Sequence, residues 1–231
     1  MSSIDRSIIA ALPLFSGLSA GDLDEILREA RSARYPKNTP IFREGEEAAS
    51  FFVLINGHVR AAKTTPDGQQ VVVRYVSAGE VFGVAPAIGL DRYPATATAV
   101  VDSVVLAWPS SSWPGLVSRH PPIATNTLKT VGARLQDAHT RVIEQTTEQV
   151  EQRVAHMLLR LAQQAGRKVD NGVEIDFPIS RQDVAEMTGT TLHTVSRILS
   201  AWEQRGLVES GRQRIVLLDP HKLVGVADGK G

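Results

Sequence analysis

The residues best suited to chemistry lie between Ser180 and Arg214. Arg197 carries a planar guanidinium that can offer two parallel donors to guanine O6 and N7. His193 can donate to a base or to a phosphate. Thr194 and Ser196 can bind phosphate, and Thr194 also brings a methyl group to thymine. Thr191 precedes them, and Ser180 and Arg181 open the stretch. Arg212 and Arg214, in Gly211-Arg212-Gln213-Arg214, suit phosphate contacts. Each has a bland reading beside this one: Arg197 as a plain neutraliser of phosphate, His193 as a passive surface residue. As a set they describe a surface that grips duplex DNA and reads its major groove.

Such a surface needs two helices and a tip. The first helix includes Val184, Ala185 and Met187. Ser180 caps it and Asp183 completes an imperfect capping box, since glutamate or glutamine is the usual partner. Gly189 permits a sharp change of direction. Thr190 or Thr191 caps the second helix. Val195, Ile198, Leu199 and Trp202 face its core, while Thr191, His193, Thr194, Ser196 and Arg197 face outward near its start. Gly206-Leu207-Val208-Glu209 and Ile215-Val216-Leu217 read as two strands joined by the basic tip, a wing anchored by Ile215 and Leu217.

Charge does not make this case. The 231 residues hold 25 basic and 25 acidic side chains. That argues against a non-specific polyelectrolyte binder but leaves room for a local basic face. From Arg181 to Arg214, five arginines outnumber Asp183, Glu186, Glu203 and Glu209 by one. No cysteine is present, which excludes disulfides, thiolate metal sites and cysteine-ligated iron–sulfur clusters. It is compatible with a cytoplasmic protein. Met1 to Arg6 does not open a signal peptide, and no apolar run reaches the roughly 18 residues of a membrane span. An enzyme is not expected: there is no cysteine nucleophile, P-loop or His-Glu-x-x-His motif. Asp24-Glu25 and Glu46-Glu47 are adjacent carboxylates, which alone do not make an acid/base pair. No metal site is expected.

Upstream, Leu23, Ile26 and Leu27 share the buried side of a short helix begun by Ser19 or Ala20. From Arg34 to about Ala107, short β-prone runs alternate with glycine turns. The runs are 39–42, 51–55, 58–62, 71–76 and 100–106. Asn56-Gly57 suits a tight hairpin with positive φ at both positions, and Pro66-Asp67-Gly68 a β-turn. Many short strands at this spacing imply a sandwich or barrel. Beyond Pro121-Pro122, Leu128, Val131, Leu135, Ala138 and Val142 recur at alternating spacings of three and four. This narrow seam could cover the chain's own barrel or pair with a second copy in a parallel homodimer. Gln145-Thr146-Thr147 marks a hinge or helix boundary, with one uninterrupted helix as the alternative. A further helix through Val150, Val154, Met157, Leu158 and Leu161 ends at Gly166. Ile175 and Phe177 are expected in a short strand. The fold class is α+β, with domains 1–120, 121–146 and 147–231.

This order, together with Thr194-Val195-Ser196-Arg197-Ile198-Leu199 and Gly206-Leu207-Val208, resembles the CRP/FNR family of bacterial transcription regulators. Phe51 to Val59, Gly68, Gly79-Glu80-Val81-Phe82-Gly83 and Tyr93-Pro94-Ala95-Thr96 look like that family's cyclic-nucleotide-binding-type jelly roll. The resemblance implies a sensory jelly roll, a dimerisation helix and a winged helix-turn-helix. It further implies a homodimer on palindromic promoter DNA, with RNA polymerase as a further partner and the sign of regulation, activator or repressor, left open. Arg197 and Ser196 fall on the family's arginine and serine. His193 falls where a glutamate usually accepts from bases, and Leu192 where the cyclic-AMP type carries arginine. These departures imply a different half-site.

The same resemblance bears on the signal. In the family's cyclic-nucleotide signature a carboxylate follows glycine and an arginine precedes serine. Here the corresponding residues are Gly83-Val84 and Tyr93-Pro94. Arg92 is adjacent, but one step along a strand points to the other face. Phe82, Gly83, Val84, Tyr93 and Pro94 therefore mark the expected effector pocket, and a cyclic nucleotide is disfavoured. Thr190 to Arg197 and Tyr93 to Thr96 look more like the nitrogen-oxide-responsive regulators than the cyclic-AMP type. Haem is one alternative, with His58, His139, His156 or Met157 as axial ligand. A small apolar or anionic ligand, or none, are the others.

Overall fold

A computed structural model describes residues 9–230. The reading of Met1 to Arg6 lies outside these residues. The described residues form two compact units, those up to 63 with 74–137 and 64–73 with those from 138 onward. They divide within the long helix, after Asp137.

The first unit opens with α1 (Ala20–Arg28), where the Ser19 hydroxyl accepts from the Asp22 N–H at 3.2 Å and Asp22 answers in a reciprocal capping box. Eight strands follow along the chain: β1 (Arg31–Tyr35), β2 (Pro40–Phe42), β3 (Ser50–Asn56), β4 (Val59–Thr64), β5 (Gln70–Val76), β6 (Val81–Phe82), β7 (Thr96–Ala99) and β8 (Ser103–Pro109), with residues 64 and 70–73 counted in the second unit. They form two four-stranded sheets, β1-β8-β3-β6 and β2-β7-β4-β5. β3 carries apolar residues on both sides because each side is covered. Phe51 and Val53 pack into a cluster with Leu23, Ile26, Trp108, Leu116 and Ile123. Phe52 and Leu54 face Val59, Val76, Tyr93 and Ala97.

Three local expectations are corrected. Of the Asn56-Gly57 pair only Gly57 has positive φ, at 93°, and a Cβ there would lie 2.8 Å from the Asp102 carbonyl oxygen. The expected hairpin is not formed: β3 and β4 lie in different sheets, and the glycine turn carries the chain from one to the other. The strand expected from Val100 starts instead at Ser103, because the Val100 N–H turns away to the His58 carbonyl at 2.9 Å. The strand expected to include Phe177 ends at Ile175, with Phe177 buried beyond it.

Helices α2 (Trp113–Arg119) and α3 (Pro121–Thr147) follow. α3 ends at Thr147, and Gln149 caps α4 (Val150–Ala165) through a capping box with Gln152. The boundary expected near Gln145-Thr146-Thr147 is therefore a break between two helices. Along α3, Leu128, Leu135 and Val142 are 72%, 53% and 62% exposed, with Val131 and Ala138 half-buried.

The second unit continues with β9 (Gly166–Val169), β10 (Gly172–Ile175), α5 (Arg181–Thr188), α6 (Leu192–Gln204), β11 (Val208–Ser210), β12 (Ile215–Leu217) and α7 (Pro220–Ala227). Its sheet runs β11-β12-β10-β9. α7 has no counterpart in the sequence reading. Its signal was Asp219-Pro220, a capping residue followed by proline at the first helical position, and the Asp219 side chain accepts from the Lys222 N–H at 3.0 Å.

Candidate nucleic-acid interface

The two-helix element is built by its caps. The Ser180 hydroxyl accepts from the Asp183 N–H at 3.1 Å and donates to Asp183 Oδ2 at 2.6 Å, while the Ser180 N–H donates to the same oxygen at 2.8 Å. Aspartate thus completes the box despite its shorter stem. Gly189 ends α5 in the left-handed region (φ 62°, ψ 42°), and a Cβ there would stand 3.0 Å from Oε1 of Gln145. Thr191 caps α6, accepting from the Thr194 N–H at 3.2 Å. Val195, Ile198, Leu199 and Trp202 are all buried. This inward face turns Thr191, Leu192, His193 and Arg197 to solvent and leaves Thr194 and Ser196 half-buried.

The four candidate arginines divide into two kinds. Arg197 and Arg212 are exposed and make no ion pair among the described residues. Arg181 donates to the Ser210 hydroxyl at 2.7 Å and lies 3.5 Å from Glu203, whose carboxylate also accepts from the Ser210 N–H at 3.0 Å. It ties α5 to the first wing strand. Arg214 pairs with Glu209 and sits 3.2 Å from Glu174. The hydrogen bond it donates to Glu209, then that to Glu174, holds its guanidinium above the usual arginine pKa. Arg181 and Arg214 therefore brace the wing, whereas Arg197 and Arg212 remain available.

Ser180, Arg181 and Arg212 come together with Gln182, Leu192, Ser210 and Gly211 around an open groove of about 500 Å³, which Thr191, His193, Thr194, Ser196, Arg197 and Arg214 do not line. Gln182 and Leu192 were not among the expected contacts. Leu192 is 47% exposed. An apolar residue at the first helical position, ahead of a buried face that begins at Val195, is the signal that pointed to it.

The positions read as an effector pocket are packed differently from one another. Phe82 stacks on Phe52 with ring centroids 5.2 Å apart, and Tyr93 stacks on Phe42 at 3.8 Å. The Tyr93 hydroxyl accepts from the Ser50 N–H at 3.1 Å and donates to the Ser50 carbonyl at 2.6 Å. Burial pushes its pKa up. Val84 is buried and Pro94 exposed. Gly83 has φ 68°, and a Cβ there would be 2.9 Å from Phe52. Arg92 is spent elsewhere, donating to the Gly45 carbonyl at 2.6 Å.

Of the residues considered for haem, His58 lies in the turn between β3 and β4, and His139 is exposed on α3. His156 sits 3.4 Å from Glu148, and Met157 is in the core. No group of three or more His, Cys, Asp or Glu that could hold a metal ion occurs among the described residues. Nor is any described helix long and apolar enough to cross a membrane.

Comparison with known proteins matches residues 32–120 to the cyclic nucleotide-binding domain and residues 152–225 to the Crp-like helix-turn-helix domain. The chain is 30% identical over 217 residues to the Cyclic AMP receptor protein of Thermus thermophilus, covering 94% of this chain and 97% of the relative. It is 23% identical to the transcriptional activator protein FnrA of Stutzerimonas stutzeri, covering 94% and 88%. The solved structure of FixK2 from Bradyrhizobium japonicum superposes with TM-score 0.75 at 26% identity, covering 85% of this chain and 96% of that one. With a β jelly roll, a long helix and a winged helix-turn-helix in that order, and a relative this similar along nearly its whole length, the chain belongs to the CRP/FNR family of non-catalytic, DNA-binding transcription regulators.

Proposed function

We propose that two copies of this chain pair in parallel along α3 and present two α6 helices to successive major grooves of a palindromic promoter site in the cytoplasm, where RNA polymerase is the further partner. The observation that carries this is the pairing of an exposed, unneutralised Arg197 on α6 with an exposed, unneutralised Arg212 on the wing. One suits a base edge and the other a phosphate. The seam of Leu128, Leu135 and Val142 supports the dimer, since an apolar stripe this exposed on a 27-residue helix suits burial against its like. Symmetry of the DNA site then mirrors symmetry of the protein.

The effector in this reading is not cyclic AMP. A cyclic nucleotide needs a cation for its phosphate and a carboxylate for its ribose hydroxyls, yet the stacked, hydrogen-bonded Tyr93 stands where the cation is expected and Val84 where the carboxylate is. The likeness of Thr190 to Arg197 to nitrogen-oxide-responsive regulators belongs to the same proposal, although the named relatives include both a cyclic AMP receptor and an FnrA activator.

Selection of binding sites from random duplex DNA tests the proposal. A two-fold symmetric consensus is expected, with affinity unchanged by added cyclic AMP. Recovery of no preferred sequence would overturn the DNA reading, and a cyclic AMP requirement would overturn the effector reading.

A further inference from the structure

Among the buried polar atoms of the β-rich unit that make no hydrogen bond, three donors stand together in the fold: Nη2 of Arg74, Nε of Arg134 and Oγ of Ser77. All three belong to one cluster around Glu80. Arg74 Nη1 lies 3.3 Å from Glu80 Oε1, and the Ser77 N–H donates to Glu80 Oε2 at 2.7 Å. Arg134 reaches from α3 and donates through Nη2 to the carbonyl of Val81, the next residue. Arg74 thus pairs with Glu80, while Arg134 lies close enough to feel the charge of both. Burial and then the like charge of Arg74 push the Arg134 pKa down to about 10, with Glu80 opposing only in part.

The chemistry of the cluster is one-sided. Its unsatisfied atoms there are donors, on two cations and a hydroxyl. A buried donor left unmade is costly, and a buried cation in excess more so. The complement is an acceptor-only group with negative charge. Fork-shaped donors match the oxygens of a carboxylate or a phosphate. Chloride would meet the charge but not the separate directions of three donors.

We propose that Arg74, Ser77 and Arg134 form a binding site for a small oxyanion, the carboxylate or phosphate of a metabolite, and that this anion is the regulator's effector. The effector role rests on the reading of the chain as a signal-tuned DNA-binding protein; the binding site does not. The site uses none of Gly83, Val84, Tyr93 and Pro94. Its placement gives the anion a lever: Arg134 is adjacent to Leu135 of the exposed seam on α3. Holding the Arg134 side chain biases the rotational setting in which that seam is offered to a second copy.

The test is calorimetric titration of the full chain with inorganic phosphate and, separately, with acetate, each against chloride at equal ionic strength. One of the two oxyanions should bind at one per chain and raise Tm, and chloride should do neither. The R134M variant should lose that binding, and S77A should weaken it by roughly tenfold, the equivalent of one charge-assisted hydrogen bond. Phosphate and acetate distinguish the tetrahedral from the planar anion. Binding of neither, or binding undiminished in R134M and S77A, would overturn the site. Should R134M fail to fold, S77A alone decides, because it keeps every charge. DNA affinity is measured on the same samples: anion binding without any response in DNA affinity would reject the effector role and keep the site. Absence of DNA binding at all would instead reject the proposed function.

Discussion

Arg160 holds Glu144 with both ends of its guanidinium, at 2.5 and 2.9 Å, and Glu144 is only 6% exposed. Glu144 stands in the last turn of α3 and Arg160 on α4, so the pair closes the elbow at the Glu148-Gln149 break. A carboxylate this buried withstands desolvation only with its partner in place. R160M should lower stability by about 1–3 kcal/mol, less than a fully buried pair would lose, because the Arg160 side chain is 36% exposed. Urea unfolding measures this. The double variant E144L/R160M should regain most of the loss; an R160M protein as stable as the parent would show that the elbow does not need the pair.

The α3 seam makes a separate prediction. Charges placed at Leu128 and Leu135, both strongly exposed in the single chain, should not harm its folding. In a dimer they would be buried facing like charges. L128E/L135E is therefore expected to sediment as a monomer with unchanged far-ultraviolet circular dichroism. Unchanged sedimentation would assign dimerisation to another surface.

Gly83 is expected to resist substitution for two reasons that add. Its φ of 68° strains any other residue, and an added Cβ would stand 2.9 Å from Phe52 and 3.2 Å from Phe42. G83A should cost about 2 kcal/mol or more, read as a fall in the denaturation midpoint. Y93F removes the hydroxyl that serves both polar groups of Ser50 and should cost about 1 kcal/mol. A G83A protein of parental stability would mean that the aromatic stack gives way easily, leaving room there for a ligand.

Legibility in the sequence followed the range of the interactions. The caps at Ser19, Ser180 and Thr191 are local, satisfied within three residues, and could be read directly. So could the buried face of α6, which repeats with the helix period. β1 was hidden because Arg31-Ser32-Ala33-Arg34-Tyr35 is polar and largely exposed; only pairing with β8 makes it a strand. β6 is two residues long and has no period to detect. The site was legible in composition but not in allegiance. That Arg181 answers to Glu203 and Arg214 to Glu174 depends on chain folding that brings distant carboxylates to them. Tyr93 occupied an expected pocket position, yet its ring belongs to a stack with Phe42, which no spacing rule reveals.

That division among the arginines gives the interface its sharpest prediction. R197A removes a side chain placed to meet a base edge and should cost about 1–3 kcal/mol on the selected site while leaving random duplex nearly untouched. R212A removes a phosphate contact, so affinity should fall on both DNAs and the slope of log affinity against log salt should drop by about one. R214A should act differently again. Its guanidinium is already engaged by Glu209 and Glu174, so its loss should disorder the wing more than it strips a DNA contact. Hydrogen exchange of β11 and β12 would then rise in R214A and stay unchanged in R212A. Titration of the three variants on specific and random duplex across a salt series separates these roles, and an equal loss on both DNAs for R197A would demote that residue to a phosphate contact.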